Sequence, residues 1–411
     1  MNRQPLIVRL LYHDCNLTIT ALISLYLLTQ RNAVQRLHEN KELLDKITAL
    51  LDTANITADR ELAADMMMSV LKFAHDEPGR GDMKLMARST KELRYAMKVF
   101  KRYRQRRKVS VFGSARTETT HPNYVLATEF GKLLAKAGFM VITGAGGGIM
   151  AAGNEGAGKT ESFGVAIKLP FEQKTNEFIE GDEKLIHFRY FFSRKLVFVK
   201  ETHAIALFPG GFGTHDEGFE VLTLVQTGRC DPLPIVLLEE PGGTYWKSWD
   251  DFIKKELLEA GLISPEDLHL YHITYDAAEA VRHIQTFYRN YHSCRYHKDE
   301  LVLRVKQAPT PAELDKINAD FGFICTSGKI ESRPPPHHDE ETLVPDYARV
   351  VLKFDRRSLG HLRLLIDRLN ALPSLPPMDH ATKALSETHV TSSDRNLSEI
   401  AEEESVRLVE P

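Results

Sequence analysis

The chain has 411 residues, 43% hydrophobic and 27% charged, with a formal net charge of −3. That composition suits a soluble globular protein of one large domain with smaller additions, and it exerts no general pull toward nucleic acid or a membrane surface. Four cysteines, Cys15, Cys230, Cys294 and Cys325, with no CxxC spacing among them, exclude a disulfide framework or a Cys-rich zinc site and favour a reducing, cytoplasmic setting.

Residues 1–107 read as a helical region. Leu17–Leu28 is too short and too rich in hydroxyls to span a bilayer, and no A-x-A-like cleavage site follows it, so a buried helix is expected. Apolar residues then recur at helical spacing through Leu37–Leu51 and Ala63–Leu71. The basic run Lys98–Lys108 is either a solvated helix face or a surface for a small anionic effector.

Residues 108–295 alternate short β-branched runs with helical patterns. Strands are expected at Val109–Phe112, Phe139–Thr143, Ser162–Ile167, Lys184–Phe188, Ala204–Phe208, Pro234–Leu238 and Leu268–Ile273. Helices are expected at Tyr124–Ala137, Ile149–Ala157, Phe191–Lys200, His215–Thr227, Trp246–Glu259 and Asp276–Asn290. The alternation predicts an α/β, Rossmann-like, doubly wound parallel sheet, with ligands bound beyond the carboxyl ends of its strands.

Residues 296–372 predict a small α+β domain. Its order is strand Leu301–Val305, a helix opening at Thr310-Pro311, strands Phe321–Cys325 and Arg349–Phe354, and helix Ser358–Leu372. Binding of an effector and oligomerisation are the two roles open to it. From 373 to 411 the polar, acidic composition predicts disorder.

Three expected strand ends are rich in glycine. Gly113-Ser114 follows the first strand. Gly144, Gly146, Gly147 and Gly148 follow the second and open a helix. That arrangement bares backbone N–H groups at a positive helix end, as an anion site requires. It lacks both the G-x-G-x-x-G spacing and a G-K-[ST] sequence, so it is neither a dinucleotide fingerprint nor a P-loop. The third, Pro209-Gly210-Gly211-Phe212-Gly213-Thr214-His215-Asp216-Glu217, follows the apolar strand Ala204–Phe208. Thr214 and Glu217 stand at capping-box spacing and could cap the next helix; alternatively Thr214 holds phosphate and Glu217 faces the sugar.

This third motif, P-G-G-x-G-T-x-x-E, resembles the signature of the Lonely Guy (LOG) family of phosphoribohydrolases, which release a base from nucleoside 5′-monophosphates. Val111–Arg116 and Thr143–Ala157 are similar to the family's other glycine-rich blocks, Leu169-Pro170 and Glu172 to its L-P-x-E segment, and Arg194-Lys195 to its Arg-Lys pair. The resemblance covers about residues 108–292. It implies catalytic roles for Arg194 and Glu217. It also implies substrate contacts from Gly113, Ser114, Gly144, Gly146, Gly147, Gly148, Glu172, Lys195, Gly210, Gly211, Phe212, Gly213, Thr214 and Asp216. It implies a homo-oligomer, with AMP-type or cytokinin riboside monophosphates as substrates. Two departures stand out: Ala145 replaces a usual glycine, and His215 replaces a common leucine and is expected to be solvated.

The reaction needs neither metal nor organic cofactor, and none is expected. Members of this family are often labelled lysine decarboxylases, a chemistry that needs a pyridoxal phosphate lysine. The competing reading is a non-enzymatic nucleotide or cofactor carrier or sensor, which needs no carboxylate at the ribose. A single-stranded DNA binder is disfavoured by the near-neutral charge and the lack of an aromatic stacking platform.

Overall fold

The expected strands owe their burial to alternation within one sheet. Val109, Val111, Val141, Ala204, Ala206, Val236 and Leu238 face one apolar layer, while Met140, Ile142, Phe163, Val165, Ile205, Leu207, Ile235 and Leu237 face the other. A sheet buried on both faces needs helices on both sides, which parallel strands with helical crossovers supply. The structure, a computed structural model, describes residues 41–168, 174–334 and 347–378. Leu17–Leu28, Leu169-Pro170, Glu172 and the tail beyond 378 lie outside the described residues.

The chain divides into two compact units after Arg88. In the first, a helix over 41–53 (α1) and α2 (Arg60–His75) pack Ile47 and Leu51 with Ala64 and Met68. Helix α3 (Arg80–Phe100) follows.

The second unit holds seven parallel strands: β1 (Lys108–Phe112), β2 (Met140–Thr143), β3 (Ser162–Ile167), β4 (Leu185–Phe188), β5 (Ala204–Leu207), β6 (Ile235–Leu238) and β7 (Tyr271–Thr274). Their order is β4-β3-β2-β1-β5-β6-β7. The order reverses between β1 and β5, the switch point at which such sheets bind ligands. Helices α4 (Pro122–Lys136), α5 (Ile149–Ala157) and α9 (Ala277–Phe287) cover one face. The end of α3 with α6 (Phe191–Glu201), α7 (Phe212–Gln226) and α8 (Tyr245–Phe252) covers the other.

A second, antiparallel sheet has the order β10-β11-β9-β8. Its strands are β8 (Tyr291–His297), β9 (Glu300–Val305), β10 (Cys325–Arg333) and β11 (Ala348–Phe354), and α10 (Pro311–Phe321) and α11 (Leu359–Asn370) pack with it. Two differences from expectation have physical causes. Strand β8 mixes His, Arg and Ser with Tyr291, Cys294 and Tyr296 without a clean apolar alternation, yet it pairs with β9 along its length. Residues expected to extend as Phe321–Cys325 instead finish α10 and form a 3₁₀ turn at Gly322–Ile324, so β10 begins at Cys325.

The basic run is not one face. Arg102 pairs with Glu183 at 2.8 Å and Arg106 with Glu161 at 2.6 Å, while Arg107 lies 3.9 Å over the Tyr288 ring. Lys108 is buried in β1, and its ammonium donates to the carbonyls of Tyr103 and Arg106. Arg102, Arg106, Arg107 and Lys108 thus fasten the chain where it enters the sheet, while Lys98, Lys101 and Arg104 are exposed.

Candidate active site

Because β2, β1 and β5 are neighbours, their glycine turns emerge side by side. The first turn ties the other two together. Ser114 N donates to Pro209 O at 3.1 Å, and Ile149 N donates to Ser114 O at 3.0 Å. Close approach explains several glycines. A Cβ on Gly113 would stand 2.7 Å from Ile149, on Gly148 2.2 Å from Ser114 O, and on Gly210 2.1 Å from Thr214 Oγ1. Gly211 and Gly213 differ, for nothing lies within 4 Å of where their Cβ would be. Their lack of a side chain keeps the surface open to a ligand.

The second turn is held from below by a buried polar network. Thr143 Oγ1 donates to Asn154 Oδ1 at 2.7 Å and accepts from Ala145 N at 3.0 Å. Asn176 Nδ2 reaches Asn154 Oδ1 at 3.1 Å and Gly146 O at 3.0 Å. Ala145 has φ +60°, so the departure from glycine falls where an L-residue is strained by about 1–2 kcal/mol.

Helix α7 starts at Phe212, with Gly211 as its N-cap and no side-chain cap. The expected start at His215 was late because a glycine-rich stretch reads as loop. Thr214 and Glu217 therefore do not cap: both lie inside the helix and both are buried. The amides of Phe212 and Gly213 precede the first helical hydrogen bonds of α7.

Helix α6 supplies the cations. Its start is fixed by Glu92 of α3, which accepts from Arg189 N at 2.9 Å and from Ser193 Oγ at 2.8 Å. Arg194 Nη2 then sits 3.4 Å from Glu217 Oε1, and its guanidinium lies over the rings of Phe191 and Phe198. Lys195 Nζ lies among three carboxylates: Glu220 at 2.7 Å, Asp216 at 3.0 Å and Glu217 at 3.3 Å. Burial pushes the Glu217 carboxyl above its ordinary range, opposed by the charges of Lys195 and Arg194. Burial likewise lowers the Arg194 guanidinium, against the pull of Glu217 and Asp216. For Lys195, burial acts downward, but the hydrogen bonds to Glu220 and Asp216 and the Glu217 charge raise the ammonium overall.

These parts surround a cavity of about 610 Å³. Of the expected site residues, Gly113, Ser114, Gly144, Arg194, Gly211, Phe212, Gly213, Thr214 and Glu217 line it. Gly146, Gly147 and Gly148 do not line it, and Gly210 lines a neighbouring hollow that shares Ser114 with it. Asp216 points to Lys195, and Lys195 itself braces Glu217 rather than lining the cavity. Sequence reasoning passed over Arg116 and Met150. Met150 fills the space beneath Gly144 and Gly146. Arg116 lines the cavity and forms no ion pair among the described residues; its place two residues beyond Gly113-Ser114 was the available signal. Charged groups on the wall are thus Arg116, Arg194 and Glu217, one net positive charge. Among the described residues no group of three or more His, Cys, Asp or Glu side chains could hold a metal ion.

A family described as "Possible lysine decarboxylase" matches residues 148–284. The cytokinin riboside 5′-monophosphate phosphoribohydrolase LOG1 of Arabidopsis thaliana is 32% identical over 117 residues, which are 28% of this chain and 53% of the relative. The chain thus matches about half the length of that enzyme. Among solved structures, the molybdenum cofactor carrier protein of Chlamydomonas reinhardtii aligns at 20% identity over 43% of this chain and 94% of its own, with a TM-score of 0.29. The molybdenum cofactor binding protein of Rippkaea orientalis aligns at 18% identity over 44% and 96%, with a TM-score of 0.32. Likenesses this slight carry no argument about ligand or chemistry.

Proposed function

The chain belongs to the Lonely Guy (LOG) family, and from that premise we propose that it hydrolyses the N-glycosidic bond of nucleoside 5′-monophosphates to free base and ribose 5-phosphate. The observation that carries the reading is Glu217, buried under an open glycine turn and braced by Arg194 and Lys195.

The phosphate has matching partners on the wall. The amides opening α7, the Ser114 and Thr214 hydroxyls and the Arg116 guanidinium offer donors and positive charge. With phosphate anchored there, remote binding energy fixes the ribose near Glu217. Bond cleavage develops positive charge on the ribose ring, as in glycoside hydrolysis. An ionised Glu217 stabilises that charge and draws a proton from the attacking water. The departing base leaves with the bonding electron pair and takes up a proton. Arg194 holds the carboxylate in place, and its planar guanidinium also presents donors to ribose oxygens.

The same geometry argues against a decarboxylase. A Schiff-base lysine must be deprotonated to attack a carbonyl, and burial among neutral groups or cations favours that. Lys195 sits among three carboxylates that keep it protonated. A carrier or sensor would have no use for a buried carboxylate braced by two cations at the sugar position. The reading is tested by incubating the protein with nucleoside 5′-monophosphates and with the matching nucleosides. Release of base and ribose 5-phosphate from the phosphorylated compounds alone supports it; release from neither, or equally from both, contradicts it.

A further inference from the structure

We infer that Tyr245 and His215 act together as a lock on the Gly210–Gly211 peptide, holding its N–H toward the phosphate pocket. The inference rests on the reading of this turn as a phosphate site and deepens it.

Tyr245 Oη lies 2.5 Å from Gly210 O and 2.7 Å from His215 Nε2. A carbonyl only accepts, so the single phenolic proton goes to Gly210 O. His215 Nε2 must then donate to Tyr245 Oη, which fixes the imidazole proton on Nε2. Burial lowers the affinity of His215 for a second proton. The imidazole is stacked between Phe219 and Tyr245, at centroid distances of 6.1 and 5.9 Å. It is therefore not the solvated helix residue expected from sequence.

Peptide planarity gives this contact its consequence. In a trans peptide the C=O of one residue and the N–H of the next point in opposite directions. Gly210 lies on the wall of a second hollow of about 830 Å³, which Tyr245 and His215 also line, whereas Gly211 lies on the wall of the first cavity. Holding Gly210 O toward Tyr245 thus aims Gly211 N–H toward the first cavity. A flipped peptide would turn a carbonyl oxygen toward the phosphate. Two successive glycines have no Cβ to resist such a flip, and the Tyr245 contact restrains the Gly210 carbonyl from outside the turn.

The test is titration of wild type, Tyr245→Phe, His215→Leu and His215→Gln with ribose 5-phosphate, and with adenosine as the phosphate-free control. Melting temperatures monitor the fold, and steady-state kinetics are run on AMP. One lost hydrogen bond corresponds to a change of roughly two- to tenfold. Tyr245→Phe and His215→Leu should weaken ribose 5-phosphate by about that factor and leave adenosine unchanged. KM for AMP should rise with kcat nearly constant, and His215→Gln, which keeps a donor, should recover most of the affinity. Unchanged ribose 5-phosphate affinity in both Tyr245→Phe and His215→Leu overturns the lock, as does equal loss for adenosine or failure of wild type to bind ribose 5-phosphate. Ribose 5-phosphate is not consumed, so the two ideas separate. If wild type cleaves no monophosphate but the variants lose phosphate affinity, the lock stands and the hydrolase falls. If wild type cleaves AMP and the variants bind normally, the hydrolase stands and the lock falls.

Discussion

At the residue scale the site turns on a carboxylate kept out of water beside two cations. Glu217 is 4% exposed at its side chain, Arg194 14% and Lys195 16%. Removing one member of such a group leaves its partner buried and uncompensated, which costs more than the pair contributes. Arg194→Ala should therefore lower kcat/KM by about 100-fold or more, the scale seen when a preorganised electrostatic donor is lost. Steady-state kinetics on the preferred monophosphate check this, and an unchanged kcat/KM removes Arg194 from the reaction. The pH profile follows from the same burial. Glu217 must be ionised to act, and its pKa is raised. Activity should thus fall with decreasing pH while an ordinary carboxylate would still be charged. In Glu217→Gln any residual rate should lack this acid limb. An acid limb at or below the ordinary carboxylate range would show that a different group titrates.

At the scale of elements, much of the candidate site's geometry was legible because its signals are local. Strand ends followed by glycine declared themselves, and Arg194 and Glu217, paired through the family resemblance, both line one cavity. What escaped has a tertiary cause. The Asn154 and Asn176 network under the second turn joins residues distant in sequence, and ordinary asparagines give no sign of it. The start of α7 escaped because helix propensity argues against glycine, whereas the fold imposes helix from Phe212. Phe219, four residues on in α7, is tied to His215 by helical spacing, but Tyr245 and Trp246 reach it from α8, which no periodicity ties to α7. Packing of α4 on α5 can be tested directly. A Cβ on Gly156 would stand 1.9 Å from Thr128 O, and one on Gly131 2.6 Å from Gly153 O. Gly156→Ala should force the two helices apart and cost about 1–3 kcal/mol, the range for overpacked sites. Denaturant unfolding measures it, and wild-type stability would contradict the close packing.

For the molecule as a whole, α6 and α7 leave several aromatic rings exposed, one of them, Phe212, on the cavity wall. Phe212 is 96% exposed, and Phe191 and Phe192 on α6 and Phe219 on α7 are also exposed. Several exposed aromatics on adjoining helices mark a surface suited to association. The family resemblance implies a homo-oligomer, and these rings are the exposed apolar groups through which a second copy would be met. Light scattering after gel filtration should give a dimer or larger, and charged substitutions at Phe191 and Phe212 should reduce its mass. A monomeric wild type would contradict this. Among the described residues no helix is long and apolar enough to cross a membrane. The second sheet was only partly legible, since β8 and β10 carry polar side chains and owe their strand form to pairing across the sheet.

The measurement closest to the central claim is base release by wild type and by Glu217→Gln across a panel of nucleoside 5′-monophosphates, paired with nucleotide binding by both. The account predicts base and ribose 5-phosphate from wild type, loss of turnover in Glu217→Gln, and nucleotide affinity largely retained in the variant. Turnover in Glu217→Gln at the wild-type rate, or wild type that binds monophosphates and cleaves none, would contradict it.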